Sequence, residues 1–308
     1  MLGEKLKLYR EKNNMTQKEV AEILNVEPGT ISKYELGLTE PNIESIKKLA
    51  EIFNVTTDEL LKDEEKFDFS KINILDILRE QKEMKLNGNL YYETQISFAY
   101  NTNHIEGSKL TEDQTRYIYE TNTILFEENT VVHVDDILET TNHFKLVDYM
   151  LDIAKNELSE DMIKTFHKIL KEGTSDSKKE WFNVGEYKQK ANEVGKIKTT
   201  LPKNVQRDMN KLIEWYNSLE KVKIEDIIEF HYRFECIHPF QDGNGRVGRI
   251  IMFKECLKNN IIPFIILDKD KLFYYRGLKE YKSEKGYLID TCLNAQDQYK
   301  KMIEYYLK

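Results

Sequence analysis

Twelve consecutive residues in the second half of the chain bring together the side-chain types that handle a polyphosphate. They read His238-Pro239-Phe240-Gln241-Asp242-Gly243-Asn244-Gly245-Arg246-Val247-Gly248-Arg249. A histidine can accept a proton near neutral pH, a carboxylate can hold Mg²⁺, and guanidinium groups match phosphate oxygens. Gly-Asn-Gly lets backbone N–H groups turn toward an anion. The apolar residues 250–253 that follow predict a helix, and a helix N-terminus is a favourable place for an anion.

This run resembles the signature of the Fic family, His-Pro-Phe-x-(Asp/Glu)-Gly-Asn-Gly-Arg-x-x-Arg, and fills every fixed position of it. The resemblance implies an enzyme that transfers AMP from ATP to a Ser, Thr or Tyr hydroxyl of a protein. It implies that His238 takes the hydroxyl proton and that Asp242 holds Mg²⁺ between the α- and β-phosphates. Gly245 stands where phosphate-transferring relatives carry another residue, which favours AMP transfer. The competing interpretation is an ordinary glycine turn that leads into a helix.

The resemblance also implies a set of phosphate contacts. Asn244, together with the neighbouring glycine amides, would stabilise charge on the α-phosphate. Arg246 would bind on the β-phosphate side, and Arg249 would bind the γ-phosphate. The nucleotide-binding residues expected from the signature are Gly243, Asn244, Gly245, Arg246, Gly248 and Arg249.

Residues 102–107, Thr-Asn-His-Ile-Glu-Gly, resemble the inhibitory motif of the same family, (Ser/Thr)-x-x-x-Glu-(Gly/Asn). The resemblance places the motif on a helix at about residues 98–110 and pairs Glu106 with Arg249. A carboxylate on that guanidinium would repel the γ-phosphate and misplace the α-phosphate for attack. We therefore expect Glu106 to inhibit the enzyme, and the alternative is a glutamate that caps a helix. Some glutamate-bearing family members also remove AMP, and this reverse activity stays open.

A hairpin is predicted around Gly195, because short strand patterns flank this glycine. It resembles the Fic flap, whose edge pairs with the target protein through main-chain hydrogen bonds. The residues expected in the flap are Val194, Gly195, Lys196 and Ile197. A plain surface hairpin is the alternative. Trp181, which precedes this segment, is expected to pack in the core.

Two tyrosines after the signature lie in a segment that resembles the family's tyrosine-containing helix near the adenosine. Tyr274 or Tyr275 could stack on the base or on the ribose. Aromatic packing in the core is an equally good explanation of both residues. The three cysteines are scattered and show no metal-ligand spacing, and Cys236, just before the signature, is expected to be buried.

The first sixty residues form a separate helical module by their pattern. Thr16 and Glu19 have the spacing of a capping box, and Thr57 is expected to cap a short fifth helix. A resemblance to the Cro/C1 (Xre) repressor family rests on residues 16–21, 30–37 and Pro41. The resemblance implies a five-helix domain in which the second helix of the helix-turn-helix motif enters the major groove of DNA.

The DNA contacts implied by this resemblance fall, by position, on Gln17, Thr30, Ser32 and Lys33. Ser32 and Lys33 would face bases, whereas Gln17 and Thr30 would lie near phosphates. Residues 1–61 hold eight Lys or Arg residues against eleven Asp or Glu residues, which is a poor balance for binding DNA. Dimerisation or contact with a protein is the alternative. A homodimer is expected, because repressor heads of this kind read paired half-sites.

The elements that must position these residues are predicted to be helices. Residues 71–308 carry long stretches with apolar residues at i, i+3 and i+4, so the predicted fold class is all-α with one small hairpin. The predicted organisation is a helix-turn-helix domain at 1–61, a charged linker at 62–70 and a Fic domain at 71–308. No apolar run is long enough to cross a bilayer. The scattered cysteines and the lack of a signal-peptide pattern predict a cytoplasmic protein.

Several functions are compatible with these features. The chain has 308 residues and a net charge of −8, which argues against broad nonspecific binding of nucleic acid. A self-inhibited AMP-transferase is the first hypothesis. A DNA-binding transcription regulator that senses a nucleotide and modifies nothing is the second, and a toxin-antitoxin-like module whose head represses its own gene is the third. The complete signature favours the enzyme, because a pure sensor need not keep the base.

Overall fold

The chain divides into two compact units, Met1–Phe69 and Ser70–Lys308. The computed structural model describes residues 2–62, 67–124, 131–194 and 197–308, and leaves the side chains of residues 194 and 197 undescribed. Both units are built from helices, and a two-stranded hairpin is the only sheet among the described residues. The predicted all-α fold class is therefore confirmed. Part of the predicted linker at 62–70 lies outside the described residues.

The described residues of the N-terminal unit form five α-helices, as the sequence predicts. They are α1 (Leu2–Lys12), α2 (Gln17–Leu24), α3 (Pro28–Glu35), α4 (Ile43–Phe53) and α5 (Thr57–Leu61). Their buried faces form one core of Leu6, Val20, Ala21, Leu24, Ile31, Ile46, Leu49, Ala50, Phe53 and Leu60. Helices this short depend on such packing rather than on intrinsic helix propensity.

Side-chain caps begin three of these helices, α2, α4 and α5, and the caps of α2 and α5 test the sequence predictions. Thr16 and Glu19 form the predicted capping box at the start of α2. The cap of α5 is Thr56 and not Thr57, so that prediction is wrong by one residue. Thr56 is preferred because Glu59 stands three residues after it, and the Glu59 carboxylate accepts a hydrogen bond from Thr56 N at 2.6 Å.

The second unit contains ten α-helices and the hairpin within its described residues. The helices are α6 (Ile74–Met84), α7 (Leu90–Ile105), α8 (Glu112–Thr121), α9 (Val134–Asp152), α10 (Glu160–Lys171), α11 (Pro202–Asn217), α12 (Ile224–Ile237), α13 (Asn244–Lys258), α14 (Lys271–Glu280) and α15 (Gly286–Leu307). Strands β1 (Glu193–Val194) and β2 (Ile197–Lys198) pair antiparallel between α10 and α11. Among the described residues of the chain, no helix is both long enough and apolar enough to span a bilayer.

Helix α13 lies at the centre of this unit and packs against α6, α7, α9, α10 and α12. Apolar side chains cover its whole circumference, as expected of a helix that is enclosed on all sides. The buried residues include Val247, Ile250, Ile251, Met252, Phe253, Cys256 and Leu257. The first turn of α13 is enclosed as well, so Arg246 and Arg249 are buried cations that need partners from neighbouring helices.

Helix α7 brings the 102–107 motif to α13. Its N-terminal cap is Asn89, and Glu106 is its C-terminal cap. Gly107 follows with a φ of 106°, a backbone conformation that glycine adopts readily. The observed helix therefore begins and ends earlier than the expected span of about 98–110, because an asparagine cap starts it and a glycine stops it. Glu106 stands just beyond the last helical residue.

Candidate active site

The twelve-residue run forms the loop between α12 and α13 and the first turns of α13. His238 ends α12 with a φ of 52°, and Gly243 precedes α13 with a φ of 79°. Both values lie in the left-handed region, which glycine and, less readily, histidine adopt. The first hydrogen bond within α13 is donated by Val247 N to Gly243 O, so the amides of residues 244–246 point out of the helix end. This geometry suits an anion.

Asn244 and Phe240 hold the loop in shape. Phe240 N donates to Asn244 Oδ1 at 2.8 Å, and Asn244 Nδ2 donates to Phe240 O at 2.9 Å. The buried Phe240 ring stacks on His167, with the ring centroids 4.0 Å apart. Because both polar atoms of the Asn244 amide are bound to Phe240, this side chain fixes the loop. Its expected contact with an α-phosphate stays a prediction.

Arg249 is held by two residues of the 102–107 motif. Its Nη2 donates to Glu106 Oε1 at 2.6 Å and to Thr102 O at 3.1 Å, and its Nε donates to Thr102 Oγ1 at 2.7 Å. Although burial opposes the charge, the Glu106 carboxylate raises the pKa of Arg249. The guanidinium is therefore ionised and directed at α7. The pairing of Glu106 with Arg249 is present, and its inhibitory role stays a prediction.

Arg246 is held by a different carboxylate, which the sequence analysis missed. Its Nη1 forms an ion pair with Glu139 of α9 and lies 3.4 Å from Asn103 Oδ1. Its Nη2 lies 3.3 Å from Asp242 Oδ2. A buried arginine with two carboxylate partners positions the loop, and the β-phosphate contact expected of Arg246 stays a prediction.

Lys171 of α10 completes this cluster and was also missed. Its buried Nζ donates to Glu139, to Asp176 Oδ2 at 3.2 Å and to Asp242 Oδ2 at 2.7 Å. Although burial opposes ionisation, Arg246 and Lys171 hold the pKa of Asp242 well below its usual range. Asp242 is thus a carboxylate whose charge is fixed by two cations. No local pattern in the sequence could have revealed Glu139 or Lys171, because each lies far along the chain from the signature.

Two glycines of α13 face groups from other helices. A Cβ at Gly245 would overlap the Glu106 carboxylate, so the bare backbone makes room for that carboxylate. A Cβ at Gly248 would lie 2.6 Å from His231 Nδ1 and 3.0 Å from Glu235 Oε1, both on α12. Gly245 therefore lies against Glu106 in the first turn of α13, and its role in binding the nucleotide stays a prediction. Gly248 faces His231 and Glu235 of α12, and its expected role in binding the nucleotide stays a prediction.

His238 points its ring toward α12, the helix that it ends. Its Nδ1 lies 3.6 Å from Glu235 Oε2, with the two side chains 17% and 13% exposed. Glu235 is a further residue that the sequence analysis did not single out, although it stands one helical turn before His238.

The two candidate tyrosines have different environments. Tyr274 is buried, and its hydroxyl lies 2.7 Å from His231 Nε2 and 3.5 Å from Arg249 Nη1. Its ring cannot stack on a base in this arrangement, so the core explanation describes Tyr274 and the stacking one does not. Tyr275 is partly exposed, and its hydroxyl donates to Ile105 O at 2.9 Å. Stacking of Tyr275 on a nucleotide stays a prediction.

The hairpin is tied to the signature loop at its base. Lys188 N donates to Pro239 O at 2.8 Å, and Lys188 Nζ donates to Ile237 O at 3.2 Å. Asn192 Nδ2 donates to Phe240 O at 3.0 Å. The strands pair residue 194 with residue 197, whereas the expected flap residues Gly195 and Lys196 lie outside the described residues. The docking role of Val194, Gly195, Lys196 and Ile197 stays a prediction.

In the N-terminal unit, one of the four expected DNA-contacting residues is already engaged. Gln17 Nε2 donates to Glu35 Oε2 at 2.8 Å, and Glu35 also pairs with Arg10 at 2.6 Å. Lys33 is exposed, and Thr30 and Ser32 are partly exposed. DNA contacts by Gln17, Thr30, Ser32 and Lys33 stay predictions.

Two expectations about side-chain burial are wrong. Trp181 is 37% exposed, because it lies in an irregular segment after α10, where the Lys190 ammonium lies 4.2 Å from its ring centroid. Cys236 is exposed, because it lies outside the buried face of α12. Among the described residues, no group of three or more His, Cys, Asp or Glu side chains could hold a metal ion on its own.

Comparisons with known proteins agree with this architecture. Residues 157–256 match the Fic/DOC family, and residues 6–60 match a helix-turn-helix family. Two curated relatives are the protein adenylyltransferase Fic of Nematostella vectensis, 27% identical over 61% of this chain and 43% of its own length, and the protein adenylyltransferase fic-1 of Caenorhabditis elegans, 27% identical over 60% of this chain and 36% of its own length. The chain thus spans less than half the length of these relatives.

The N-terminal unit has a relative of its own. The HTH-type transcriptional regulator ImmR of Bacillus subtilis is 40% identical over 79 residues, which are 26% of this chain and 60% of that protein.

Solved structures share the fold. A Fic family protein from Desulfovibrio desulfuricans has a TM-score of 0.59 at 21% identity, over 76% of this chain and 73% of its own. Fic-1 from C. elegans has a TM-score of 0.57 at 18% identity, over 99% of this chain and 87% of its own. The chain is therefore similar to a helix-turn-helix family at residues 6–60 and to the Fic/DOC family at residues 157–256.

Proposed function

We propose that the second unit is a protein adenylyltransferase, which moves AMP from ATP to a Ser, Thr or Tyr hydroxyl of a protein. The position of Glu106 carries this proposal. Its carboxylate stands against Gly245 in the first turn of α13 and within hydrogen-bonding distance of Arg249. A helix N-terminus beside an arginine binds anions, and the carboxylate marks the place where phosphate oxygens would bind. Two relatives named protein adenylyltransferase support the choice of reaction.

The proposed reaction is an in-line displacement at the α-phosphorus. His238 accepts the proton of the attacking hydroxyl while a new O–P bond forms. The bond between the α-phosphorus and the bridging oxygen breaks, and its electron pair leaves with pyrophosphate. The amides of residues 244–246 stabilise the charge that develops on the α-phosphate oxygens. Positioning and electrostatics supply most of the catalysis in such transfers.

We propose Asp242 as the ligand of Mg²⁺. The fit rests on a carboxylate that is half exposed and kept ionised by Lys171 and Arg246. Mg²⁺ is usually held by one or two protein carboxylates together with substrate phosphates, so a single carboxylate is sufficient here. When bound, the ion would neutralise phosphate charge and help pyrophosphate to leave.

We propose that Glu106 keeps the enzyme inactive. ATP could enter the site only with its γ-phosphate excluded from Arg249, which would misplace the α-phosphate relative to His238. Release of Glu106 leaves Arg249 hydrogen-bonded to Thr102, so the guanidinium stays oriented for the γ-phosphate. The same carboxylate could position a water for the reverse reaction, and AMP removal belongs to this proposal.

The test is transfer of label from α-³²P-ATP with Mg²⁺ to the chain itself or to proteins of a cell lysate. We expect weak labelling by the parent, labelling at least about tenfold stronger by Glu106→Gly, and none by Glu106→Gly with His238→Ala. Glu280→Gly is the matched control, because Glu280 also ends a helix and pairs with an arginine on the surface. It should behave like the parent.

No label in any variant would overturn the transferase proposal. ATP binding without transfer, with DNA affinity that changes on ATP addition, would then favour the nucleotide-sensing regulator. The toxin-antitoxin-like alternative requires a third-party target, and the lysate arm of the experiment would reveal one.

We propose that the helix-turn-helix domain binds DNA as a homodimer. Its 40% identity to an HTH-type transcriptional regulator supports this, and its excess of acidic residues opposes nonspecific binding. Fluorescence anisotropy with DNA from upstream of the gene should show binding that Lys33→Glu weakens by at least about tenfold. An equal affinity of both proteins would remove Lys33 from the interface. The cytoplasmic location also stays a prediction.

A further inference from the structure

A buried carboxylate on α12 faces the back of the catalytic histidine. Glu235 stands one helical turn before His238, and the distance from Glu235 Oε2 to His238 Nδ1 is 3.6 Å. The Nδ1 atom is buried and has no hydrogen-bond partner among the described residues, and the same is true of Glu235 Oε1. Buried polar groups without partners are rare in folded proteins. Glu235 Oε2 is the atom that faces Nδ1, whereas Oε1 lies beside Gly248. A buried, unpartnered Nδ1 that faces a carboxylate oxygen indicates a hydrogen bond that is completed in a functional state.

The surroundings keep Glu235 in this position. His231, one turn earlier on α12, and Gly248 of α13 enclose its carboxylate, and no side chain longer than a hydrogen atom fits at position 248. His231 is itself anchored by the Tyr274 hydroxyl, 2.7 Å from Nε2. Although burial opposes ionisation, His238, His231 and Arg249 hold the pKa of Glu235 below its usual value. An ionised carboxylate accepts hydrogen bonds and donates none.

The backbone of His238 explains why its ring meets Glu235. The left-handed conformation at φ 52° ends α12 and turns the chain into the signature loop. Non-glycine residues in this region are uncommon and concentrate at functional sites. The turn costs some free energy, and it leaves Nδ1 directed at α12 rather than at solvent.

We infer that Glu235 is a positioning residue for His238. It accepts a hydrogen bond from Nδ1–H, which selects the imidazole tautomer with an unprotonated Nε2, and Nε2 is then the atom that takes the hydroxyl proton. The imidazolium that results faces a fixed negative charge. The distance must shorten by about 0.6 Å to reach a normal N–H···O bond, and catalytic hydrogen bonds are often long before substrate binds. The catalytic role that this inference gives to His238 rests on the proposed function. The hydrogen bond between Glu235 and His238 does not depend on it.

The tautomer of His238 tests the inference without any turnover. Long-range ¹H–¹⁵N spectra of protein labelled with ¹⁵N-histidine would be recorded above pH 8, where an ordinary histidine is neutral. The chain has six histidines, and the signal of His238 is assigned from its absence in His238→Ala. In the parent we expect the Nδ1–H tautomer. In Glu235→Leu we expect the Nε2–H tautomer, and in Glu235→Gln, which keeps the shape of the side chain, a mixture of both.

Glu229→Gln is the matched control. Glu229 lies on the same helix and pairs with Arg233 at 2.7 Å and Lys285 at 2.8 Å on the surface. Its substitution removes a carboxylate and two ion pairs from α12 without approaching His238. The His238 tautomer should remain that of the parent, which separates an effect of position from an effect of helix stability.

Kinetics in the Glu106→Gly background give the second readout. Glu235→Leu should lower kcat by about 100-fold or more, with the KM for ATP changed by less than about threefold, because the base is lost and the nucleotide contacts are not. Glu235→Gln should recover part of kcat. An unchanged His238 tautomer in Glu235→Leu would overturn the inference. Failure of transfer in Glu106→Gly, with the tautomer change present, would overturn the proposed function and leave the positioning role of Glu235 intact.

Discussion

Two arginines of α13, three residues apart, are held by carboxylates in different settings. Arg246 pairs with Glu139, whose side chain is 12% exposed and which also binds Lys171. Arg249 pairs with Glu106, whose side chain is 32% exposed and which ends α7. A buried carboxylate that serves two cations cannot leave without uncovering both charges. A carboxylate at a helix end can. We infer that the Arg246 region holds the site together and that the Arg249 region opens.

The two arginines also differ in the partners that each would keep after losing its carboxylate. Arg249 would keep its hydrogen bonds to Thr102 Oγ1 and Thr102 O. Arg246 would keep Asp242, which is shared with Lys171 and is the proposed Mg²⁺ ligand. Loss of Glu139 would therefore disturb Asp242, the proposed Mg²⁺ ligand. Loss of Glu106 would leave Arg249, the proposed γ-phosphate ligand, in place.

The largest expected effect is on stability. Glu139→Gln should lower the free energy of unfolding by about 3–5 kcal/mol, because it removes one carboxylate from two buried cations. Glu106→Gln should lower it by less than Glu139→Gln does, because Glu106 is partly exposed and the buried Arg249 keeps its hydrogen bonds to Thr102. Urea unfolding followed by tryptophan fluorescence measures both, since Trp181 and Trp215 are the two tryptophans of the chain and lie in the second unit. Equal losses would remove the distinction between the two regions.

A smaller effect should connect Gly245 to Glu106. In the parent, Gly245→Ala places a Cβ on the Glu106 carboxylate and should be destabilising. In Glu106→Gly the carboxylate is gone, and the higher helix propensity of alanine should offset the remaining contact with Arg249. The double-mutant cycle should give a coupling free energy of about 1–2 kcal/mol. Additive effects would show that Glu106 does not occupy this turn in solution.

The smallest effect concerns acid stability, and it tests whether both arginine regions are buried as described. Burial, aided by Arg246 and Arg249, lowers the pKa of His143 to about 3. In the unfolded chain this histidine takes up a proton near pH 6.5, whereas in the folded chain it stays neutral. The free energy of unfolding should therefore fall as the pH drops below about 6.5. This histidine alone contributes up to about 1.4 kcal/mol per pH unit.

His143→Leu should reduce that dependence, measured as the free energy of unfolding between pH 7.5 and pH 5.5, where the buffer values are about one unit either side of the histidine pKa. The exposed His133 provides the control, and His133→Leu should leave the slope as in the parent. A slope that is unchanged in His143→Leu would mean that His143 is protonated inside the fold, next to two cations.

The sequence was informative wherever the signal is local. Helix patterns, the Thr16–Glu19 capping box and the glycine turn before α13 each depend on residues within a few positions of one another, and the all-α class follows from them. The cap of α5 was displaced by one residue because two threonines are adjacent and only the spacing to Glu59 distinguishes them. Local rules therefore carried most of the fold.

Only part of the candidate site could be predicted from such local signals in the sequence. Glu106 was found because its motif resembles one in a family, not because its charge predicts burial. Glu139 and Lys171 look like surface residues in the sequence, since a single charge on an amphipathic helix is normally solvated. They are buried because α9 and α10 both pack on α13, and this depends on contacts between distant segments. Glu235 was overlooked for a simpler reason, because the backbone turn at His238 that makes it a neighbour is not visible in the residue types.

The ion pairs of α13 also determine how short a fragment of the chain can be and still fold. The stretch that matches the Fic/DOC family, residues 157–256, contains Lys171, Arg246 and Arg249 but neither Glu106 nor Glu139. A fragment trimmed to that stretch would keep three buried cations and lose two of the four carboxylates that pair with them, with only Asp176 and Asp242 left. The signature residues would all be present, yet the fragment would be short of negative charge at its centre. The folding unit of this protein is therefore longer than the stretch by which its family is recognised.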